Sequence, residues 1–295
     1  MSLFYRIVNN VLYPFAEVET LGWRLDQEYF TIPDEAIERG EFVIHRTCSS
    51  IGDWGIISAM PRLLKEKYPN SKVYVTSENF MNVVHGPPNG RWGMWKNPYD
   101  NIKNVYEHNP YVDGFIDAYD GEVYHDHFRI RDPLVVNDPL VCQMSRFHGI
   151  DITDNTDYIP EIYFSPEEIE RFSEFKYKNF GDSEYGAFSF RWVNNIKLDE
   201  KTQFVDERVR QHEGLPFMYY TNIDHDFKMN KVLNADGLDT RLLLYLICNA
   251  KICTGTQTGI YDICSRYTNV DIIASSFSFD TIHEHYLPTI KYTFI

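Results

Sequence analysis

The stretch that most constrains this chain runs from Glu41 to Asn70. A short apolar run, Phe42-Val43-Ile44-His45, leads through Arg46-Thr47-Cys48-Ser49-Ser50-Ile51 into Gly52-Asp53-Trp54-Gly55. From Ile56 to Lys67 the apolar residues Ile56, Ile57, Ala59, Met60, Leu63 and Leu64 recur at three- and four-residue intervals, the period of one buried helical face. Pro69-Asn70 stops that pattern, and Lys72-Val73-Tyr74-Val75-Thr76 reads as a second strand, rich in β-branched residues. Strand, glycine turn, helix and strand make a βαβ unit. In an open parallel sheet, ligands bind beyond the carboxyl ends of the strands, so chemistry is expected at the Ser49–Gly55 turn.

The alternation restarts in the second half. Ser165-Pro166-Glu167-Glu168 is a helix start, with a serine cap, proline at the first helical position and glutamate three residues after the cap. Gly186–Phe190 reads as a strand, Phe204–Glu213 as a helix, Phe217–Tyr220 as a strand and Leu238–Ala250 as an apolar helix. The turn Gly255-Thr256-Gln257-Thr258-Gly259 then opens a helix from Ile260 to Arg266, and Val270–Ala274 reads as the final strand. In the first half, Gly114–Asp117 reads as a strand and 132–150 as a buried helix with a proline near its start. Asp151–Asp157 is polar and turn-prone, which divides the chain into domains at 1–155 and 156–295. The fold class expected is α/β, with two doubly wound Rossmann-like domains facing across a cleft. The aromatic lead of residues 1–40 has no sustained periodicity and receives no function.

Composition narrows the classes. With 43% hydrophobic and 24% charged residues, and no apolar run near the ~20 residues of a membrane span, a soluble, cytoplasmic protein is expected. The first residues lack the continuous apolar core of a signal peptide. Five cysteines without a CxxC pair read as free thiols. A net charge of −15 repels nucleic acid over long range and weighs against it as a partner.

Glycines that allow close backbone approach, threonine hydroxyls and converging N–H groups make Gly255–Gly259 a candidate phosphate cradle, with plain structural turn as the alternative. Asp53 offers a base at the end of the first strand of the βαβ unit, with N-capping of a helix from Trp54 as its structural alternative. Arg191 and Lys197 follow the Gly186–Phe190 strand and are either cations for a leaving phosphate group or solvated charges. His125-Asp126-His127 and His283-Glu284-His285 lack a third ligand set, and no metal is expected. Trp92, Trp95, Trp192 and Tyr261 could stack on a sugar or base, or simply pack.

Ile51-Gly52-Asp53, the helix closing as Leu64-Lys65-Glu66-Lys67-Tyr68-Pro69, then Asn109-Pro110-Tyr111-Val112-Asp113, then the run from Ala250 to Gly259, together resemble the heptosyltransferase family of GT-B glycosyltransferases, in order and spacing across residues 41–275. Departures are the position of Pro61, Gln257 where an aspartate is usual, and Asp262 where a histidine is usual. The resemblance implies an inverting transfer of a sugar from a nucleotide-sugar donor to a glycan or other acceptor hydroxyl, with no metal and no further cofactor. It implies Asp53 as catalytic carboxylate, Ser49, Ser50 and Gly52 on the acceptor side, and Arg191, Lys197, Thr256, Gln257, Thr258 and Gly259 at the donor. The alternatives are an epimerase-type nucleotide-sugar enzyme, a catalytically silent nucleotide- or glycan-binding protein suggested by Gln257 and Asp262, and a glycosyltransferase acting on modified DNA bases.

Overall fold

A computed structural model describes residues 4–8, 11–12, 38–45, 50–77, 98–117, 122–124, 140–190, 198–221, 226–274 and 287–294. The chain divides into two compact units, Met1–Tyr158 and Ile159–Ile295.

The first unit opens with strands β1 (Phe4–Val8) and β2 (Val11–Leu12), and continues with β3 (Glu41–Ile44), helices α1 (Ile51–Gly55) and α2 (Met60–Lys67), and β4 (Lys72–Thr76). Helix α3 (Pro98–Tyr106), β5 (Gly114–Ile116), β6 (Glu122–Tyr124) and α4 (Leu140–Phe147) complete it. Strands β3, β4 and β5 pair in that order, all parallel, whereas β2, β1 and β6 form an antiparallel sheet. That second sheet was not expected from the aromatic lead.

Of the helix expected from Ile56 to Lys67, only Met60–Lys67 is helical, and 56–59 form a turn that joins α1 to α2. Pro61 lacks an N–H, and in a continuous helix its ring would collide with the carbonyl of Ile57. The chain instead tightens, with Ser58 N–H bonded to Gly55 O at 3.0 Å and Met60 N–H to Ile57 O at 2.9 Å, and restarts with the proline in the first turn of α2. The apolar face read from the sequence is nonetheless buried: Ile56, Ile57, Ala59, Met60, Leu63 and Leu64 lie in the core with Val73, Val75, Ile102 and Tyr106. Each fully buried large side chain contributes about 1.5–3 kcal/mol.

His148, just after α4, is wholly enclosed. Its Nδ1–H donates to Met144 O at 2.9 Å, its ring lies edge-on to Phe42, and its own carbonyl accepts from Tyr68 Oη at 2.8 Å. Burial pushes its pKa down to about 4, against the opposing effect of the Met144 hydrogen bond. Because the folded value lies below the ordinary 6.5, the unfolded chain binds more protons in between. The stability contributed by neutral His148 is therefore complete above about pH 6.5 and lost as pH falls toward 4, about 3 kcal/mol in all. Urea midpoints at pH 7 and 4.5 are expected to separate more for the native chain than for His148→Leu; equal separations would refute this.

The second unit carries α5 (Pro166–Phe180), β7 (Gly186–Phe190), α6 (Leu198–Arg210), β8 (Pro216–Thr221) and β9 (Asn230–Asn234). It ends with α7 (Thr240–Cys248), β10 (Ile252–Thr256), α8 (Gly259–Cys264), β11 (Asn269–Ala274) and β12 (Ile290–Phe294). The six strands run in the order β12-β11-β10-β7-β8-β9, every pair parallel. β7 is buried along its whole length, as a parallel strand covered on both faces should be. Phe188, Phe190, Val205, Val209, Phe217, Phe227 and Ile273 pack as one cluster around it. The helix read from Phe204 to Glu213 lies earlier in the chain, at Leu198–Arg210. Two strands escaped the sequence reading: β9, and β12 beyond the strand expected to be last.

At the start of α5 the expected capping arrangement is complete. Ser165 Oγ accepts from Glu168 N–H at 3.1 Å and Glu168 Oε2 accepts from Ser165 N–H at 3.0 Å. Arg241, in the first turn of α7, donates to both Glu168 oxygens at 2.9 and 2.5 Å and to Tyr163 O at 2.6 Å, with its guanidinium 4.7 Å above the Phe164 ring. One buried fork thus joins two helix starts 73 residues apart.

Candidate functional site

The carboxyl ends of β3, β4 and β5 gather polar side chains in the first unit. Ser50, not Asp53, caps α1; its hydroxyl accepts from Asp53 N–H at 3.4 Å and donates to Asp53 Oδ2 at 2.6 Å. Asp53 stands in the first turn of a helix that begins at Ile51, so the alternative reading of Asp53 as cap of a helix from Trp54 is corrected. Asp53 is half-buried and its carboxylate is bonded by Ser50; the next residue, Trp54, is buried, and its carbonyl accepts from Tyr106 Oη at 3.1 Å. Gly52 is buried beside it, and Ser49 lies outside the described residues.

Two further pairs occupy the same strand ends. His45, fully buried one residue past β3, approaches Thr76 Oγ1 with Nδ1 at 3.4 Å and lies edge-on to Trp54 at 6.5 Å between ring centroids. Ser77, buried just past β4, donates to the carboxylate of the exposed Asp117 just past β5. None of these four was singled out from the sequence. The available signal was their position, since each lies at or immediately after the end of an expected parallel strand.

Asn109-Pro110-Tyr111-Val112-Asp113 proves to be architecture. Asn109 Oδ1 accepts from Tyr111 N–H at 2.9 Å, and its Nδ2 reaches Ser58 O at 3.4 Å. Asp113 accepts from Val73 N–H at 2.8 Å, from Lys65 Nζ at 2.5 Å and from Lys72 Nζ at 3.2 Å. Partial burial raises the Asp113 pKa, but the bonds from Lys65, Val73 and Lys72 outweigh it and hold the carboxyl below its usual value.

In the second unit, Gly255 and Thr256 belong to strand β10 and the turn shrinks to Gln257-Thr258. Gly255 has φ +112°, and a Cβ there would sit 2.0 Å from Ser189 O of β7, so only glycine fits this crossing of two strand ends. Thr256 is buried, and its hydroxyl lies 3.4 Å from the same carbonyl, to which it donates. Gln257 N–H bonds Ile273 O at 3.2 Å, Thr258 caps α8 without a side-chain bond, and Gln257, Thr258 and Gly259 are half-buried at its opening. Tyr261 is not a stacking platform: it is buried, its hydroxyl donating to Thr254 O at 3.1 Å. Asp262 is buried in the first turn of α8. Arg191, Lys197, Trp92, Trp95, Trp192 and both histidine triplets lie outside the described residues. Among the described residues, no three His, Cys, Asp or Glu side chains are grouped to hold a metal ion, and no helix is long and apolar enough to cross a membrane.

No protein-family model matches the sequence, and no curated protein is similar to it by sequence. Its structure does have likenesses. The crystal structure of a family 9 glycosyl transferase from Veillonella parvula is similar over 86% of this chain and 85% of that one, at a TM-score of 0.53 and 10% identity. The chain has a GT-B-like glycosyltransferase fold. Weaker likenesses reach E. coli heptosyltransferase WaaC with ADP, at 11% identity, TM-score 0.47 and coverage of 86% and 93%, and WaaC with ADP-2-deoxy-2-fluoro heptose, at 10%, 0.44, 86% and 92%. The α/β, GT-B-like fold expected from the sequence is borne out by the Veillonella likeness. Within a GT-B-like fold, the polar strand ends of the first unit and the Gln257–Gly259 opening of the second occupy the carboxyl edges of parallel sheets, the side on which such sheets bind ligands.

Proposed function

We propose that the chain is a glycosyltransferase that moves a sugar from a nucleotide-sugar donor to an acceptor hydroxyl, with inversion and without a metal. The observation that carries this reading is Asp53, half-buried and oriented by Ser50 in the first turn of α1, the helix that follows β3, in a chain with a GT-B-like fold. A carboxylate so held suits a general base that removes the acceptor proton as the new glycosidic bond forms. The donor is assigned to the second unit, with the opening of α8 at Gln257, Thr258 and Gly259 toward its diphosphate. Thr256 supports that opening through Ser189 rather than reaching the donor. Arg191 and Lys197 are assigned to the diphosphate, which gains charge as it departs. The acceptor belongs to the first unit, with Ser49, Ser50 and Gly52 around Asp53.

One observation favours a second reading, a binder without turnover. The Asp262 carboxylate is buried in the first turn of α8, where it draws on the helix-end field that a phosphate would use. Both readings are separated by incubating the protein with a panel of nucleotide sugars and glycan acceptors, with and without EDTA, and following nucleoside diphosphate release beside thermal shift. Release that survives chelation is expected. A thermal shift without release would favour the binder, and neither signal with any donor would overturn both.

A further inference from the structure

The second unit places two thiols in direct contact. Cys248 is the last residue of α7 and Cys264 the last of α8, and their sulfurs are 2.7 Å apart, within an ångström of the roughly 2.05 Å of a disulfide bond. Cys248 is half-buried and so within reach of a small reagent, whereas Cys264 is enclosed, its sulfur 3.6 Å from Leu244 O. The third thiol of this region, Cys253 on β10, is buried, with Ile247 O and Thr268 Oγ1 each 3.9 Å from its sulfur. We propose that Cys248 and Cys264 are a redox modification site, closed to a disulfide by a low-molecular-weight disulfide and reopened by thiols.

The chemistry balances in two exchanges. Cys248 loses its proton to solvent and its thiolate attacks one sulfur of the external disulfide; that S–S bond breaks, the leaving thiolate takes up a proton, and Cys248 is left in a mixed disulfide. Cys264 then loses its proton and attacks the Cys248 sulfur, expelling the second external thiolate, which is protonated in turn. Two protein thiols are oxidised and one external disulfide is reduced to two thiols. Burial raises the Cys264 thiol, so the first attack falls to Cys248 and the second proceeds only because the mixed disulfide forms beside it. Closure ties the carboxyl ends of α7 and α8 together across a 16-residue separation and restrains α8 as a body. This inference does not depend on the glycosyltransferase reading.

The test uses the full chain, reduced, freed of reductant and exposed to oxidised glutathione. Remaining thiols are then capped with N-ethylmaleimide and the peptides mapped without reduction. A Cys248–Cys264 cross-link is expected, with Cys253 remaining a thiol, and with slower amide exchange at 259–264 and a higher urea midpoint than in the reduced protein. Cys248→Ser is expected to form no cross-link while keeping the native midpoint in reducing buffer. A stable glutathione adduct on Cys248 alone, linkage through another cysteine, or two unreacted thiols would overturn the proposal.

Discussion

Asparagine in place of Asp53 is expected to lower turnover about 10²- to 10⁴-fold, the range that a positioned general base contributes. The substitution keeps the size of the side chain and an oxygen to accept from Ser50 Oγ, the bond that now holds Asp53 at 2.6 Å. What is lost is the basic oxygen. Stability should change little, because the cap of α1 is Ser50 and a first-turn carboxylate on an exposed helix end is worth only about 0.3–1 kcal/mol. Turnover and urea midpoint measured side by side check this. Ser50→Ala should do the reverse: it costs about 1 kcal/mol of stability as a lost cap and leaves part of the turnover, because the carboxylate remains. Native turnover in Asp53→Asn would assign Asp53 to the packing of α1 alone.

The largest loss of stability is expected at Arg241. Arg241→Met keeps much of the aliphatic length but leaves the largely buried Glu168 carboxylate without its cation and Tyr163 O without its donor. Removing one partner of a buried pair costs about 3–5 kcal/mol, since the remaining charge stays in a poorly solvated place. Arg241→Lys should recover only part of this, because a single ammonium cannot serve both carboxylate oxygens and Tyr163 O in the geometry of the guanidinium fork. The double variant Arg241→Met/Glu168→Gln should be more stable than Arg241→Met alone, as the stranded charge is gone. Denaturant unfolding of the three variants tests the ordering. A double variant no better than the single would show that the guanidinium acts through its packing on Phe164 instead.

Much of this architecture is written in local chemistry, and the parts that are not have physical reasons. β3, β4 and β7 were legible because buried parallel strands carry runs of apolar and β-branched residues. The start of α5 was legible because a capping box occupies adjacent positions. β9 was not, because four of its five residues are exposed at an edge and Asn230-Lys231-Val232-Leu233-Asn234 shows no buried face. The helix through 56–67 was overextended because its apolar period continues across a turn that Pro61 forces by removing one hydrogen bond. At the candidate site, Asp53 could be found by its place after a strand. The His45–Thr76 and Ser77–Asp117 pairs join residues 31 and 40 positions apart, and only strand register brings them together.

The turn from Asn109 to Asp113 has a consequence for how resemblance among such chains should be weighed. Asn109 is committed to the turn and to Ser58, and Asp113 to the start of β4 and two lysines, so both are occupied by folding. Such a signature would persist in descendants that had exchanged one substrate for another or abandoned catalysis, because losing it unpins β4. It speaks for the scaffold, and evidence about chemistry has to come from side chains that folding leaves unoccupied.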